Sequence, residues 1–321
     1  MDAGERDRIA VHLADGLSLS EIARILGRDK STISREISRN RPQGRRCAYF
    51  SSSAQDRARQ RWMDNHKKER LANSALRGYV EAKISLGWSP ELVAGRIGLD
   101  LPAMSVSHEA IYQYIYSSGR RLIPHLVRGG LDRRRRGYSR SHGKPHIPGR
   151  IDISLRPEAV GQRKEPGHWE ADLMESGRAG KSALNVLNER VSRLALLTKA
   201  SDGTSGKSAS AVIRRLSPVP ERLRRSVTYD NGSENADHAL VNRTLGTDSY
   251  FCAPYHSWEK GTVENTIGLV RRWLPKKTNL DTVSDDKIME IERWLNDRPR
   301  KCLGYKTPLE VFNKLSVALA G

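Results

Sequence analysis

At 321 residues the chain has room for one to three domains with real cores. An apolar share of 37% with a formal net charge of +19 argues for folded modules joined by basic segments, not one large compact core. No apolar run approaches a membrane span and the N-terminus has no apolar signal region, so membrane and secretory classes drop out and an intracellular, cytoplasmic protein is expected.

The charge is uneven. Residues 1–150 carry a net +14, residues 151–321 only +5. A basic front joined to a near-balanced back suggests a nucleic-acid-binding part attached to something else. The three cysteines, Cys47, Cys252 and Cys302, lie far apart and show no zinc-finger spacing.

Residues 5–15 read as a helix that Gly16 ends. Next comes SLSEIARILGRDKSTISREISRN. Ser20 suits the cap of a helix from Glu21 to Leu26, Gly27 suits the turn, and Ser31 or Asp29 caps a second helix to about Arg39. Ala23, Gly27 and Ile33 fall at the constrained positions of a helix-turn-helix. Ser31, Thr32, Ser34, Arg35, Arg39 and Asn40 then face out, residue types suited to base edges and phosphates. The bland alternative is an ordinary helical hairpin.

Domain 1–45 is followed by a basic helical stretch, 46–86, read as a solvated connector in preference to a phosphate-contacting arm. Residues 87–130 hold WSPELVAGRIG and SVSHEAIYQYIY, a second helix-turn-helix-like pair with Ser89-Pro90 opening its first helix. A helical packing or dimerisation module is the competing reading. Residues 131–162 contain DRRRRGYSRSHGKPHIPGR, from Asp132 to Arg150, an extended basic linker. His142 and His146 are four apart, but the prolines beside them argue against a zinc pair.

From His168 the pattern changes to strands. HWEADL alternates, with His168, Glu170 and Asp172 on one face. ALNVLNERVS and LALLTKAS complete a three-stranded meander. A helix, a strand ending at Asp230, another helix and SYFCAP follow, which implies an α/β layer with a mixed five-stranded sheet. The next helix carries Glu264, with Val263, Ile267, Val270 and Leu274 as its buried stripe. Lys260, Glu264, Gly268 and Arg271 form a second stripe beside it.

Three acids stand out: Asp172 ending the first strand, Asp230 ending the fourth, and Glu264 after a 33-residue interval. Three close carboxylates repel unless a cation neutralises them. Oxygen-only ligands suit Mg²⁺ or Mn²⁺, and two such ions would serve phosphoryl transfer. Glu170 and Glu234 are candidate accessory acids. Lys260, Arg271 and Arg272 are expected to position a DNA strand by charge. His256 and Trp258 either contact DNA or anchor the loop. Residues 163–282 form the expected core domain, and 283–321 a helical segment that covers the sheet or the Glu264 helix.

HWEADL, TYDNGSE, PYHSWEKGTVENTIGLVRRWLPK and LNDRPRKCLGYKTPLEVF resemble a transposase of the insertion sequence thirty family, within the DDE transposase and retroviral integrase superfamily. The resemblance covers most of the chain. It implies an RNase H-like, integrase-type catalytic core behind helix-turn-helix modules, with Asp172, Asp230 and Glu264 as catalytic and metal-binding triad and two ions expected per site. It further implies double-stranded DNA partners, namely terminal inverted repeats and target, with end cleavage and strand transfer in a homo-oligomer. Tyr229 and Asn235 depart from the family's usual residues there. Two other readings stay open: a sequence-specific DNA-binding repressor with an inactive core, and a nuclease for RNA–DNA hybrids.

Overall fold

The structure, a computed structural model, describes residues 1–41, 48–67, 71–126, 147–177, 180–253 and 257–318. The chain forms two compact units, Met1–Tyr79 and Val80–Gly321.

The first unit is helical: α1 (Ala3–Ala14), α2 (Leu19–Leu26), α3 (Lys30–Asn40), α4 (Ser51–Lys67) and the start of α5 (Ser74–Ser85). The α2 cap is Ser18, not Ser20. Its side chain forms a reciprocal capping box with Glu21. Gly27 takes the left-handed conformation, φ 62°, that turns α2 into α3. Asp29 caps α3 by accepting from the Ser31 N–H at 2.7 Å. Ile9, Ile22, Ala23 and Ile33 bury their side chains together.

Within the stretch expected to be a solvated connector, α4 is instead packed into this unit. Ala54 of α4 joins the core. Arg57 and Arg61 donate to the Asn40 and Arg39 carbonyls at 2.9 and 3.1 Å, satisfying the open C-terminus of α3.

In the second unit, α6 (Pro90–Asp100) and α7 (His108–Ser117) are capped by Ser89 and Ser107. Ile111 and Ile115 are fully buried, and the Tyr112 and Tyr116 rings stack at 6.2 Å. After the short α8 (Glu158–Gly161) comes the sheet: β1 (His168–Glu175), β2 (Ala183–Glu189), β3 (Ala195–Ala200), β4 (Ser226–Tyr229) and β5 (Asp248–Phe251). The order is β3-β2-β1-β4-β5. The first three strands run antiparallel, and β4 and β5 join parallel to β1. This is the expected mixed sheet, and its topology is RNase H-like.

Alternation along the strands builds two cores. Trp169, Ala171 and Leu187 face α9 (Ser205–Leu216) and α10 (His238–Leu245). Met174, Leu184 and Val186 face α11 (Gly261–Val270) and α12 (Asp285–Asp297). The helix α13 (Pro308–Ala318) reaches the first core through Phe312, edge-on to Trp169. The outer edge of β3 is closed by α12 side chains: Asn296 exchanges two 2.8 Å bonds with Ala195, and Glu292 accepts from the Leu197 N–H at 2.6 Å. The C-terminal segment therefore covers both the sheet edge and the α11 side of the sheet.

The second helical pair docks on this core. Arg96 of α6 forks onto the Glu310 carboxylate at 2.6 and 2.7 Å, and Lys301 meets Glu91 at 2.6 Å. Gly95 lies so close to the Tyr305 ring that a Cβ would stand 2.2 Å from it. Arg272, expected on DNA, donates to the carbonyls of Gly87 and His125 at 3.2 and 3.4 Å and lies over the Trp294 ring. It ties the helical pair to the core. The basic linker from Asp132 to His146, with His142, lies outside the described residues.

Candidate active site

Strand β1 is longer than expected, running three residues past Asp172 because those residues keep pairing with β2. The parallel ladder to β4 does stop short of it: its last pair is Glu170 with Thr228. Asp172, still within β1, and Asp230, directly after β4, thus stand just past the end of the ladder that joins these two parallel strands. In open α/β sheets such strand ends are where sites form, because the backbone diverges there and side chains can face a crevice.

The two carboxylates converge on one cation. The Lys260 ammonium lies 3.3 Å from Asp230 Oδ2 and 3.5 Å from Asp172 Oδ1, and donates to the Ala171 carbonyl at 3.2 Å. Lys260 itself is only 3% exposed. The sequence placed it in the stripe beside the buried one, where it was expected to position a DNA strand by charge. The short helical turn Ser257–Lys260 ahead of α11 instead drives it inward. Burial opposes its charge, but Asp230 and Asp172 outweigh that and raise its pKa. Burial raises the Asp172 pKa, with Lys260 pulling the other way. Asp230 is oriented by Asn235, whose amide donates to Oδ1 at 2.8 Å. One of the two departures from the family pattern therefore sits directly on a candidate acid. The other, Tyr229, is buried and stacks on Phe251 at 5.6 Å.

Glu234 belongs to the same electrostatic field. Burial raises its pKa first, and the Asp230 and Asp172 carboxylates add to that. Glu170 has a different role from the accessory acid expected. It is fully buried, paired with Arg190, and accepts the Thr262 and Val263 N–H groups at 3.0 Å each. Its carboxylate thus caps the N-terminus of α11, which has no cap of its own from Lys260. This side chain ties the helix bearing Glu264 to the strand bearing Asp172. The sequence signal was present: Glu170 and Asp172 are two apart on a strand and so share a face.

Glu264 is exposed on α11, about one helical turn beyond Lys260. The structure does not bring it into the Asp172–Asp230 pair. Among the described residues no group of three His, Cys, Asp or Glu side chains is gathered tightly enough to hold a metal ion. Arg271 is half-buried and donates to the Pro275 carbonyl at 3.4 Å. His256 and the Trp258 side chain lie outside the described residues.

In the first unit, Ser31, Thr32, Ser34, Arg35 and Arg39 are exposed on α3, as expected. Asn40 is not. It is 1% exposed, donates to Glu36 at 2.6 Å and accepts from Arg61 at 2.5 Å. A residue at the end of α3 is drawn in because α4 folds back over it.

Residues 1–40 match a family model described as a helix-turn-helix domain. The chain is 38% identical over 316 residues to a transposase for insertion sequence element IS1086 of Cupriavidus metallidurans, covering 96% of this chain and 92% of that one. It is 34% identical to the transposase InsI for element IS30A of Escherichia coli K12, covering 97% and 82%. Among solved structures, the catalytic core domain of BIV integrase aligns with 48% of this chain and 99% of its own, at 18% identity and a TM-score of 0.39.

A helix-turn-helix unit, an RNase H-like sheet with paired acids where β1 and β4 stop pairing, and these relatives together define the class, a DNA transposase. The identity over nearly the whole chain narrows it: this protein belongs to the IS30 family of insertion-sequence transposases.

Proposed function

We propose that the chain is the transposase of its own insertion sequence, binding the terminal inverted repeats through α3 and cutting and joining DNA at the sheet ends. The observation that carries this is the convergence of Asp172 and Asp230, from neighbouring parallel strands, on one buried cation. In this reading Asp172, Asp230 and Glu264 are the catalytic and metal-binding acids, and the working form is an oligomer on double-stranded DNA.

The donor set suits a hard divalent cation, Mg²⁺ or Mn²⁺. Both converging donors are carboxylate oxygens, and the Lys260 ammonium is a stand-in for positive charge between them. Two such ions, bound there, would supply Lewis-acid activation of the scissile phosphate and of the attacking oxygen. The chain's own residues do the positioning. Asn235 holds the angle of Asp230. Glu170 holds α11, the helix that carries Glu264, against β1. Lys260 keeps the two aspartates from repelling each other until they are otherwise neutralised.

The test is a labelled duplex carrying the element's terminal repeat, incubated with the protein and Mg²⁺ or Mn²⁺. A nick at the repeat boundary and a joined product are expected from wild type and absent with Asp230→Asn. Tight binding by both proteins with no cleavage under either metal would instead favour the repressor reading. Cleavage of RNA–DNA hybrids without regard to sequence would favour the simple nuclease.

A further inference from the structure

Beside α11 lies a cavity of about 260 Å³ whose lining includes Arg163, Arg193, Arg300, Thr262, Asn265 and Cys302. Arg163 and Arg193 both point at one oxygen: their guanidinium nitrogens donate to Thr262 Oγ1 at 3.3 and 2.8 Å. Arg300 reaches the Leu295 carbonyl at 3.3 Å, while its Nε is buried with no partner. No carboxylate lines the cavity, and none of the three arginines forms an ion pair among the described residues. The buried acid Glu170, whose charge acts on Arg163, is already paired with Arg190.

Three guanidinium groups around one small cavity repel one another, and burial adds to the cost. The pKa of Arg300 is pushed down to about 10, by burial first and then by Arg193. That of Arg163 is lowered too, by burial and then by Arg193 and Arg190. Such an arrangement is relieved by an anion with several acceptor oxygens, and the planar forks of arginine match phosphate in particular. The mouth is open, since Arg163, Asn265 and Cys302 are exposed. Thr262 and Asn265 flank Glu264 on the same two turns of α11.

The geometry points to a phosphate-binding site here, formed by Arg163, Arg193 and Arg300, that takes a backbone phosphodiester of the DNA strand held at Glu264. The occupant rests on the transposase reading; the anion site itself does not. Fixing one phosphate to the flank of α11 would set the strand's register relative to Glu264 without reading any base.

Cys302 at the rim is a built-in reporter, and buried Cys252 is an internal reference. The full-length protein would be alkylated with iodoacetamide and both cysteines followed by peptide mass spectrometry. With terminal-repeat duplex at ten times its Kd, Cys302 alkylation should slow about tenfold by mass action. The variant carrying Arg163→Ala and Arg193→Asn should still shift the duplex through α3 but lose this protection. Its binding should also depend less steeply on salt, the slope falling by about 1 for each phosphate no longer neutralised. Arg163→Ala alone, at an exposed position, should give a partial loss in a protein whose fold is undisturbed.

Full-rate alkylation of Cys302 in wild type while the duplex is bound would overturn the proposal. Undiminished protection in the double variant would do the same. Protection by inorganic phosphate but not by bound duplex would leave an anion site and remove the strand as its occupant. Failure of wild type to bind any duplex would count against the transposase reading, and the phosphate arm would then decide the pocket alone.

Discussion

At the scale of single residues, two buried charges organise the site. Lys260 neutralises two partly exposed aspartates, whose side chains are 20% and 41% accessible. Lys260→Met should lower stability without divalent metal by about 1–3 kcal/mol, less than for a fully buried pair because water screens the aspartates. Thermal unfolding with and without Mg²⁺ checks this: the ion should raise the melting temperature of the variant more than that of wild type. Glu170 has a larger stake. Glu170→Ala leaves Arg190 buried without its partner and two N–H groups of α11 without an acceptor, an expected loss of about 3–5 kcal/mol by denaturant titration. His168 supplies a pH test. Burial lowers its pKa, with Glu165 opposing in part. A depressed folded pKa means stability that is present above the ordinary histidine range and lost as pH falls through it. Melting temperatures between pH 8 and 5 should therefore fall more steeply in wild type than in His168→Gln.

Elements show where local patterns met tertiary demands. The apolar stripe of α11 predicted its buried face, and Val263 and Val270 are fully buried. The neighbouring stripe fails at Lys260, which precedes the helix and turns in toward β1. Likewise the outward face expected of α3 holds up to Arg39, but Asn40 is buried because α4 supplies arginines to the helix end. A packing role for α6 is written in Gly95, against which Tyr305 lies. Gly95→Ala should displace that ring and destabilise the second unit by about 1–3 kcal/mol, read from its melting transition.

For the whole molecule, the division at residue 79 separates a helical unit with its own core of Ile9, Ile22, Ile33 and Ala54 from the sheet-containing unit. Residues 1–79 expressed alone should fold cooperatively by circular dichroism and bind duplex DNA without cutting it. Among the described residues no helix is long and apolar enough to cross a membrane.

Sequence alone determined the helix-turn-helix, the meander and the two following strands, because hydrophobic periodicity and turn residues act over a few positions. Which charges meet was decided only by the tertiary structure. Lys260 and Asp172 are 88 positions apart in the chain, and no local rule pairs them. The same holds for Glu170 with α11, and for the arginine cavity, whose three cations come from before β1, after β2 and after α12. Long-range electrostatics depends on distances in the folded state, and those exist only once the sheet and α11 have been brought together.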